Sequence, residues 1–259
     1  MKILLSNDDG IYAEGLRALY RQFSKHHSVT VVAPDREQSA VSHGITLYQP
    51  LRAKKINDCG FEGYAVNGKP ADCIKLGILE IMGQKPDMII SGINPGANVG
   101  INVNYSGTVA AAKEGALYGL PAIAVSVKGF DVKDYAEAAA FTEELAENTL
   151  KKGLPFGTML NVNIPNMPLS EIEGVKISHQ GIRPISEHFE NRIDPRNGKY
   201  HWLCGDLGHT FGQDPDADGN ALSENYITIT PIKCDMTDYR LLEELKTWNI
   251  AVNGQGKKV

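Results

Sequence analysis

Short continuous apolar runs alternate with stretches of helical period along the first two thirds of the chain. Residues 3–5 (Ile3, Leu4, Leu5) read as a strand buried on both faces, and Leu16, Leu19, Tyr20 and Phe23 then recur at the spacing of an amphipathic helix. The run 29–33 is short, β-branched and closed by Pro34, which completes a β-α-β opening. Pro70 sits at a first helical position ahead of Cys73, Ile74, Ile78 and Ile81, and Gly83 with Pro86 ends that helix. Residues 88–90 follow as a buried strand. The segment 93–107, with Asn94, Pro95, Gly96, Asn98, Gly100, Asn102 and Asn104, is far richer in turn formers than a connector requires.

An Ala-rich helix is expected over 108–118, a strand over 122–127, and a helix over 135–152 stopped by Gly153. Leu160, Val162 and Ile164 alternate with Asn161 and Asn163 in a further strand, and another is expected over 175–179. Regularity weakens over 180–225, which reads as an excursion from the core, before a strand at 226–232 and an amphipathic helix at 238–248. The pattern predicts an α/β fold: a Rossmann-like, mostly parallel sheet with helices on both faces, plus a C-terminal β-hairpin and helix arm. Residues 1–180 would form the core and 181–259 the arm and helix of one overall domain, the arm pairing with another subunit by domain exchange.

A chain of 259 residues can bury a substantial core. With 26 Lys and Arg against 31 Asp and Glu, the net charge of −5 implies no broad basic surface and argues against wrapping a nucleic-acid duplex. No apolar run reaches the roughly 18–20 residues of a membrane span, and Met1-Lys2 leads straight into a strand, so the expected location is cytoplasmic. Cys59, Cys73, Cys204 and Cys234 are scattered and form no CxxC pair.

Chemistry concentrates after the first strand, in Asn7-Asp8-Asp9-Gly10. Ligands bind beyond the carboxyl ends of the strands in open α/β sheets, and a cation relieves the repulsion of adjacent carboxylates. These residues alone fit a divalent-metal site and a strand stop with a helix cap equally well. The loops after the first three strands converge, bringing Asp8 and Asp9 toward 35–42 and 93–108. Their side chains are nearly all oxygen donors, which suits Mg²⁺ or Mn²⁺ rather than zinc. Tyr105-Ser106-Gly107-Thr108 runs into a helix whose N-terminus suits a phosphate, or is simply capped by Ser106 or Thr108.

Residues 3–10, Val32-Ala33-Pro34-Asp35-Arg36 through Ser39, and Ser91-Gly92-Ile93-Asn94 through Thr108 together resemble the SurE (survival protein E) nucleotidases. The resemblance continues through Ala71-Asp72-Cys73, 160–165, Asp194-Pro195-Arg196 and 226–231, and so spans nearly the whole chain. It implies a metal-dependent phosphomonoesterase, a 5′-nucleotidase that hydrolyses nucleoside 5′-monophosphates to nucleoside and phosphate, with 3′-nucleotides and short polyphosphate as substrates of some members. It also implies one Mg²⁺ or Mn²⁺ per subunit on Asp8, Asp9, Ser39 and Asn94, and a homodimer or homotetramer. Asn98, Ser106, Gly107 and Thr108 would bind the phosphate, and Asp8, Asp9, Asn98, Ser106 and Thr108 would carry the reaction. Attack by water is favoured over attack by Asp8, because a ligated carboxylate is a poorer nucleophile.

Three positions depart from the family pattern: Lys69 where Thr is usual, Glu14 where Pro is common, and Ala40 in place of Gly. None is an expected ligand. Gly68-Lys69-Pro70 lacks the Walker spacing, no GxGxxG occurs over 96–107, and His43 is at most a residue of the site rim. A phospho-acceptor signalling module would need an acceptor Asp after the third core strand, where this chain has Ser91-Gly92-Ile93-Asn94. A nucleoside hydrolase shares only the Asp-Asp-Gly.

Overall fold

The computed structural model describes residues 1–183, 186–205, 212–248 and 250. In chain order the elements are β1 (Lys2–Ser6), α1 (Glu14–Phe23), β2 (Ser28–Pro34), β3 (Ala53–Asp58), β4 (Phe61–Val66), α2 (Pro70–Leu76), β5 (Met88–Pro95), α3 (Gly107–Leu117), β6 (Ala122–Val127) and α4 (Ala136–Lys152). They continue with β7 (Thr158–Ile164), β8 (Gly174–Ile177), β9 (Glu187–Ile193), β10 (Lys199–Gly205), α5 (Asp218–Ser223), β11 (Tyr226–Lys233) and α6 (Tyr239–Leu245). Nine strands form one sheet in the order β3-β4-β2-β1-β5-β6-β7-β11-β8, antiparallel only at β3–β4 and β7–β11.

Strands alternate their side chains between two apolar layers. Ile3, Leu5 and Ile90 pack with Leu16, Leu19 and Phe23 of α1 and Ala139 and Ala146 of α4. Leu4 and Ile89 pack on the other face with Cys73 and Ile74 of α2 and Ala111, Ala112 and Ala116 of α3. This two-sided burial explains why the inner strands read as unbroken apolar runs.

β5 runs farther than its apolar residues indicate. Pairing with β6 resumes at Asn94↔Ser126 and Pro95↔Val127 after a bulge at 91–94. The bulge depends on Gly92, at φ +138°, where an added Cβ would lie 2.4 Å from the carbonyl oxygen of Val125. The β3–β4 hairpin has no apolar signature, since β3 is a lysine-bearing edge strand with Ile56 as its only buried residue. Its turn places Cys59 and Gly60 at φ 50° and 84°, the two left-handed positions of a tight hairpin.

Beyond residue 180 the chain divides. β9 and β10 form a separate two-stranded ribbon with almost every residue exposed, whereas β11 returns between β7 and β8. The expected C-terminal helix is shorter, α6, N-capped by Asp238 through the amides of Arg240 and Leu241, with no buried residue. The parts of the 181–259 expectation at 184–185, 206–211, 249 and 251–259 lie outside the described residues. Among those described, no helix is long and apolar enough to cross a membrane.

Helix α1 crosses β5 at almost bare backbone contact: a Cβ on Gly15 would lie 2.0 Å from the Ile93 carbonyl oxygen. Gly→Ala inside a helix ordinarily gains about 1 kcal/mol. Here backbone meets backbone and nothing flexible can yield, so Gly15→Ala is expected to destabilise the fold by about 2 kcal/mol or more. Urea denaturation checks both the sign and the size.

Candidate active site

The chain leaves β1 toward β2 and β4 on one side, then crosses back to place β5 on the other side of β1. The direction of sheet growth reverses between β1 and β5, which opens a crevice beyond their carboxyl ends. Residues 7–10 and 94–107 border it.

Asn7 closes the first turn. Its Nδ2 donates to the Gly10 carbonyl at 2.9 Å and its Oδ1 accepts from the Gly10 amide at 3.2 Å. Helix α1 begins after Ala13 with no side-chain cap, so neither Asp8 nor Asp9 caps it. Asp8 is buried and faces the start of α3, where the Thr108 hydroxyl donates to its Oδ1. A Cβ on Gly107 would lie 2.7 Å from the Asp8 Cβ, so only glycine lets the helix end come this close. Burial pushes the Asp8 carboxyl above its ordinary range, against the Thr108 hydroxyl and nearby amides, which pull it down. Burial, then the charges of Asp8 and Glu37, push Asp9 up to about 7, and Asp9 Oδ2 is buried without a hydrogen-bond partner.

The segment after β2 folds over the pair. The Gln38 amide donates to the Asp8 carbonyl at 2.7 Å, and the Ser39 hydroxyl donates to Glu37 at 2.5 Å. Ala40 and Ser42 take φ 55° and 52°, left-handed values that a glycine would adopt with less strain. Farther along, three anchors hold the loop: the Ser42 amide on the Tyr105 carbonyl (2.9 Å), His43 Nε2 on Glu114 Oε2 (2.7 Å), and Thr46 on Asp72. His43 thus ties the loop to α3, where buried Glu114 also pairs with Lys75 at 2.6 Å. Lys69 N-caps α2 without a side-chain bond, and Asp72 accepts its amide instead, at 2.9 Å.

On the opposite border, Asn94 Nδ2 donates to the Gly96 carbonyl at 2.7 Å, which identifies Oδ1 as the acceptor end of the amide. Asn98 is buried, and its Nδ2 donates to the Ser126 hydroxyl at 2.8 Å. Ser106 is the N-cap of α3: its oxygen accepts from the Val109 amide at 3.1 Å, so the capping expected of this motif is real, and its own proton is left for another acceptor. Asp218 of α5, wholly buried, accepts the amides of Gly100 (2.9 Å) and Gly181 (3.0 Å) and so ties the start of the C-terminal excursion to this loop.

Four contributors went unseen in the sequence. Glu37 adds to the field at Asp9, and the Tyr135 hydroxyl, raised by burial and then by the charges of Asp9 and Glu14, feels the same field. Ser126 and Asp218 act on residues distant in the chain. Only the polar Asn161 and Asn163 of an otherwise apolar strand hinted at a buried network.

The donor set around the crevice is oxygen. Among the described residues no three His, Cys, Asp or Glu side chains gather as a metal cluster. Two carboxylates with neutral oxygens around them fit a hard ion that keeps several waters, and the unpartnered Asp9 oxygen is the atom such an ion would satisfy.

The family model for survival protein SurE matches residues 3–187. The 5′-nucleotidase SurE of Desulfatibacillum aliphaticivorans is 53% identical over 251 residues, 96% of this chain and 99% of that one. That of Syntrophobacter fumaroxidans is 47% identical over 251 residues, 96% and 100% of the two chains. The crystal structure of the SurE protein from Aquifex aeolicus superposes with a TM-score of 0.82 at 38% identity, covering 95% of this chain and 98% of the other.

Replacing Asp218 by Asn turns an amide N–H₂ toward amides that now find an oxygen. A loss of about 1–3 kcal/mol in denaturant unfolding is expected, with faster hydrogen exchange at the Gly100 amide than at core-strand amides.

Proposed function

This chain belongs to the SurE family and is a hydrolase with nucleotide phosphatase activity, and we propose that it cleaves nucleoside 5′-monophosphates to nucleoside and phosphate with the help of one divalent cation per subunit. The observation that carries the metal reading is the buried, unpartnered Asp9 Oδ2 beside a second buried carboxylate. Asp8, Asp9, Ser39 and Asn94 would hold the ion, Mg²⁺ or Mn²⁺. When bound it supplies charge to polarise a phosphoryl oxygen and to acidify a water.

The chain's own residues do the rest. Ser106 offers its hydroxyl proton, Asn98 its second amide proton, and Gly107 and Thr108 the first amides of α3 to the phosphoryl oxygens. Thr108 commits its hydroxyl proton to Asp8, so its part in binding phosphate falls to its amide. That bond and burial at the end of α3 also favour water over Asp8 as the attacking group. 3′-Nucleotides and short polyphosphate present the same terminal phosphoryl group and are further substrates on this reading.

Assembly is assigned to the β9–β10 ribbon. Phe189, Ile193, Trp202 and Leu203 are each more than half exposed there, an apolar surface that suits a homodimer or homotetramer with exchanged arms.

Release of inorganic phosphate and intact nucleoside from AMP, abolished by EDTA and restored by Mn²⁺, is the expected result. Free base with ribose phosphate, or undiminished turnover in EDTA, would overturn it. Mn²⁺ at about 100 times its Kd should stabilise the protein by about 2.7 kcal/mol, read as a rise in Tm. Asp9→Asn should raise Tm in EDTA by relieving the repulsion while removing most of the Mn²⁺-dependent rise.

A further inference from the structure

Strand β7 is buried along most of its length yet carries two wholly buried asparagines, Asn161 and Asn163. Two residues apart on a strand, they face the same side. Both engage the main chain of one loop residue. Asn163 Oδ1 accepts from the Asn98 amide at 2.8 Å, Asn163 Nδ2 donates to the Asn98 carbonyl at 3.2 Å, and Asn161 Nδ2 donates to the same carbonyl at 2.8 Å. The side-chain amide of Asn163 thus serves both main-chain groups of Asn98, as a neighbouring strand would. On β6, Ser126, the register partner of Asn163, accepts from Asn98 Nδ2 at 2.8 Å.

Backbone and side chain of Asn98 are therefore fixed from two adjacent strands. The arrangement carries a cost, because Asn161 Oδ1 is buried without a partner, and apolar residues at these positions would leave the Asn98 amide and carbonyl unpaired in turn. Its return is rigidity in a segment full of Asn and Gly that would otherwise sample many conformations.

We propose that Asn161, Asn163 and Ser126 are positioning residues for phosphoryl transfer, which hold Asn98 so that its remaining amide proton meets the phosphoryl oxygen as charge develops. The proposal rests on the reading above that Asn98 faces the phosphoryl group. A donor set in place beforehand stabilises the transition state without reorganising during reaction, whereas the same donor on a mobile loop loses most of that advantage.

The test is a double-mutant cycle in steady-state AMP hydrolysis by the full-length protein with Mn²⁺. Ser126→Ala should lower kcat about 10-fold and change KM by less than about 2-fold, and Asn98→Ala should lower kcat about 100-fold. The double variant should be no slower than Asn98→Ala alone, because Ser126 acts only through Asn98. Asn163→Asp keeps the acceptor for the Asn98 amide but sets an oxygen against its carbonyl, and should also lower kcat with little effect once Asn98 is Ala. Losses that multiply in the double variants, or a Ser126→Ala enzyme with unchanged kcat beside a crippled Asn98→Ala, would overturn the clamp and leave Asn98 at the phosphoryl group. An unchanged kcat in Asn98→Ala would instead refute the placement of Asn98, and the clamp with it. Should Asn163→Asp fail to fold, as its melting curve would show, the Ser126 cycle decides alone.

Discussion

Two neighbouring carboxylates at the end of the central strand, Asp8 buried and Asp9 half-buried, set the terms for this molecule. Asp8 and Asp9 repel each other and are poorly solvated, and Glu37 adds to the charge at Asp9. Asp8 is steadied by the Thr108 hydroxyl and the close approach of α3, while Asp9 has an oxygen with no protein partner. The Asn7 turn spares both from service as caps. A site of this kind is kept at a cost to the isolated protein, and the surrounding fold has to be firm enough to bear it.

That firmness comes from close approach on both sides of β5. Gly15 lets α1 sit against the Ile93 carbonyl, and Gly115 lets α3 sit against Ile89. With the helices seated this tightly, the crevice between β1 and β5 keeps its width, and the border loops are tied down by Asp72, Glu114 and Asp218. These three buried carboxylates are structural, each satisfied by donors of the protein itself.

Much of this was legible before any coordinates. Ile3 to Leu5 and 122–127 read as strands because burial on both faces removes every polar residue but serines, and α1 announced itself through Leu16, Leu19 and Phe23. Strand β3 did not, because an edge strand that faces water carries Lys54 and Lys55 rather than an apolar alternation. In the site, Asp8 and Asp9 stood out because the signal is local: two charges side by side after an apolar run. Ser39 and Asn94 were singled out by family motifs, since a lone Ser or Asn in a loop says nothing by itself. Ser126 and Asp218 gave no sign at all. Their partners, Asn98 and Gly100, lie 28 and 118 residues away, and only the register of the sheet and the path of the excursion bring them together.

The return of the chain to the sheet at β11 has a bearing on how the protein is made. Among the described residues β8 pairs with β11 and with no other strand of the sheet, and β11 is also the outer neighbour of β7. While a nascent chain is still being extended through 178–225, β7 is therefore an open edge and β8 a strand without a seat. The ribosome must finish the projecting ribbon before the sheet can close. A chain that ends after β7 but before β11 keeps that adhesive edge bare, the kind of surface on which incomplete polypeptides aggregate or are held by chaperones.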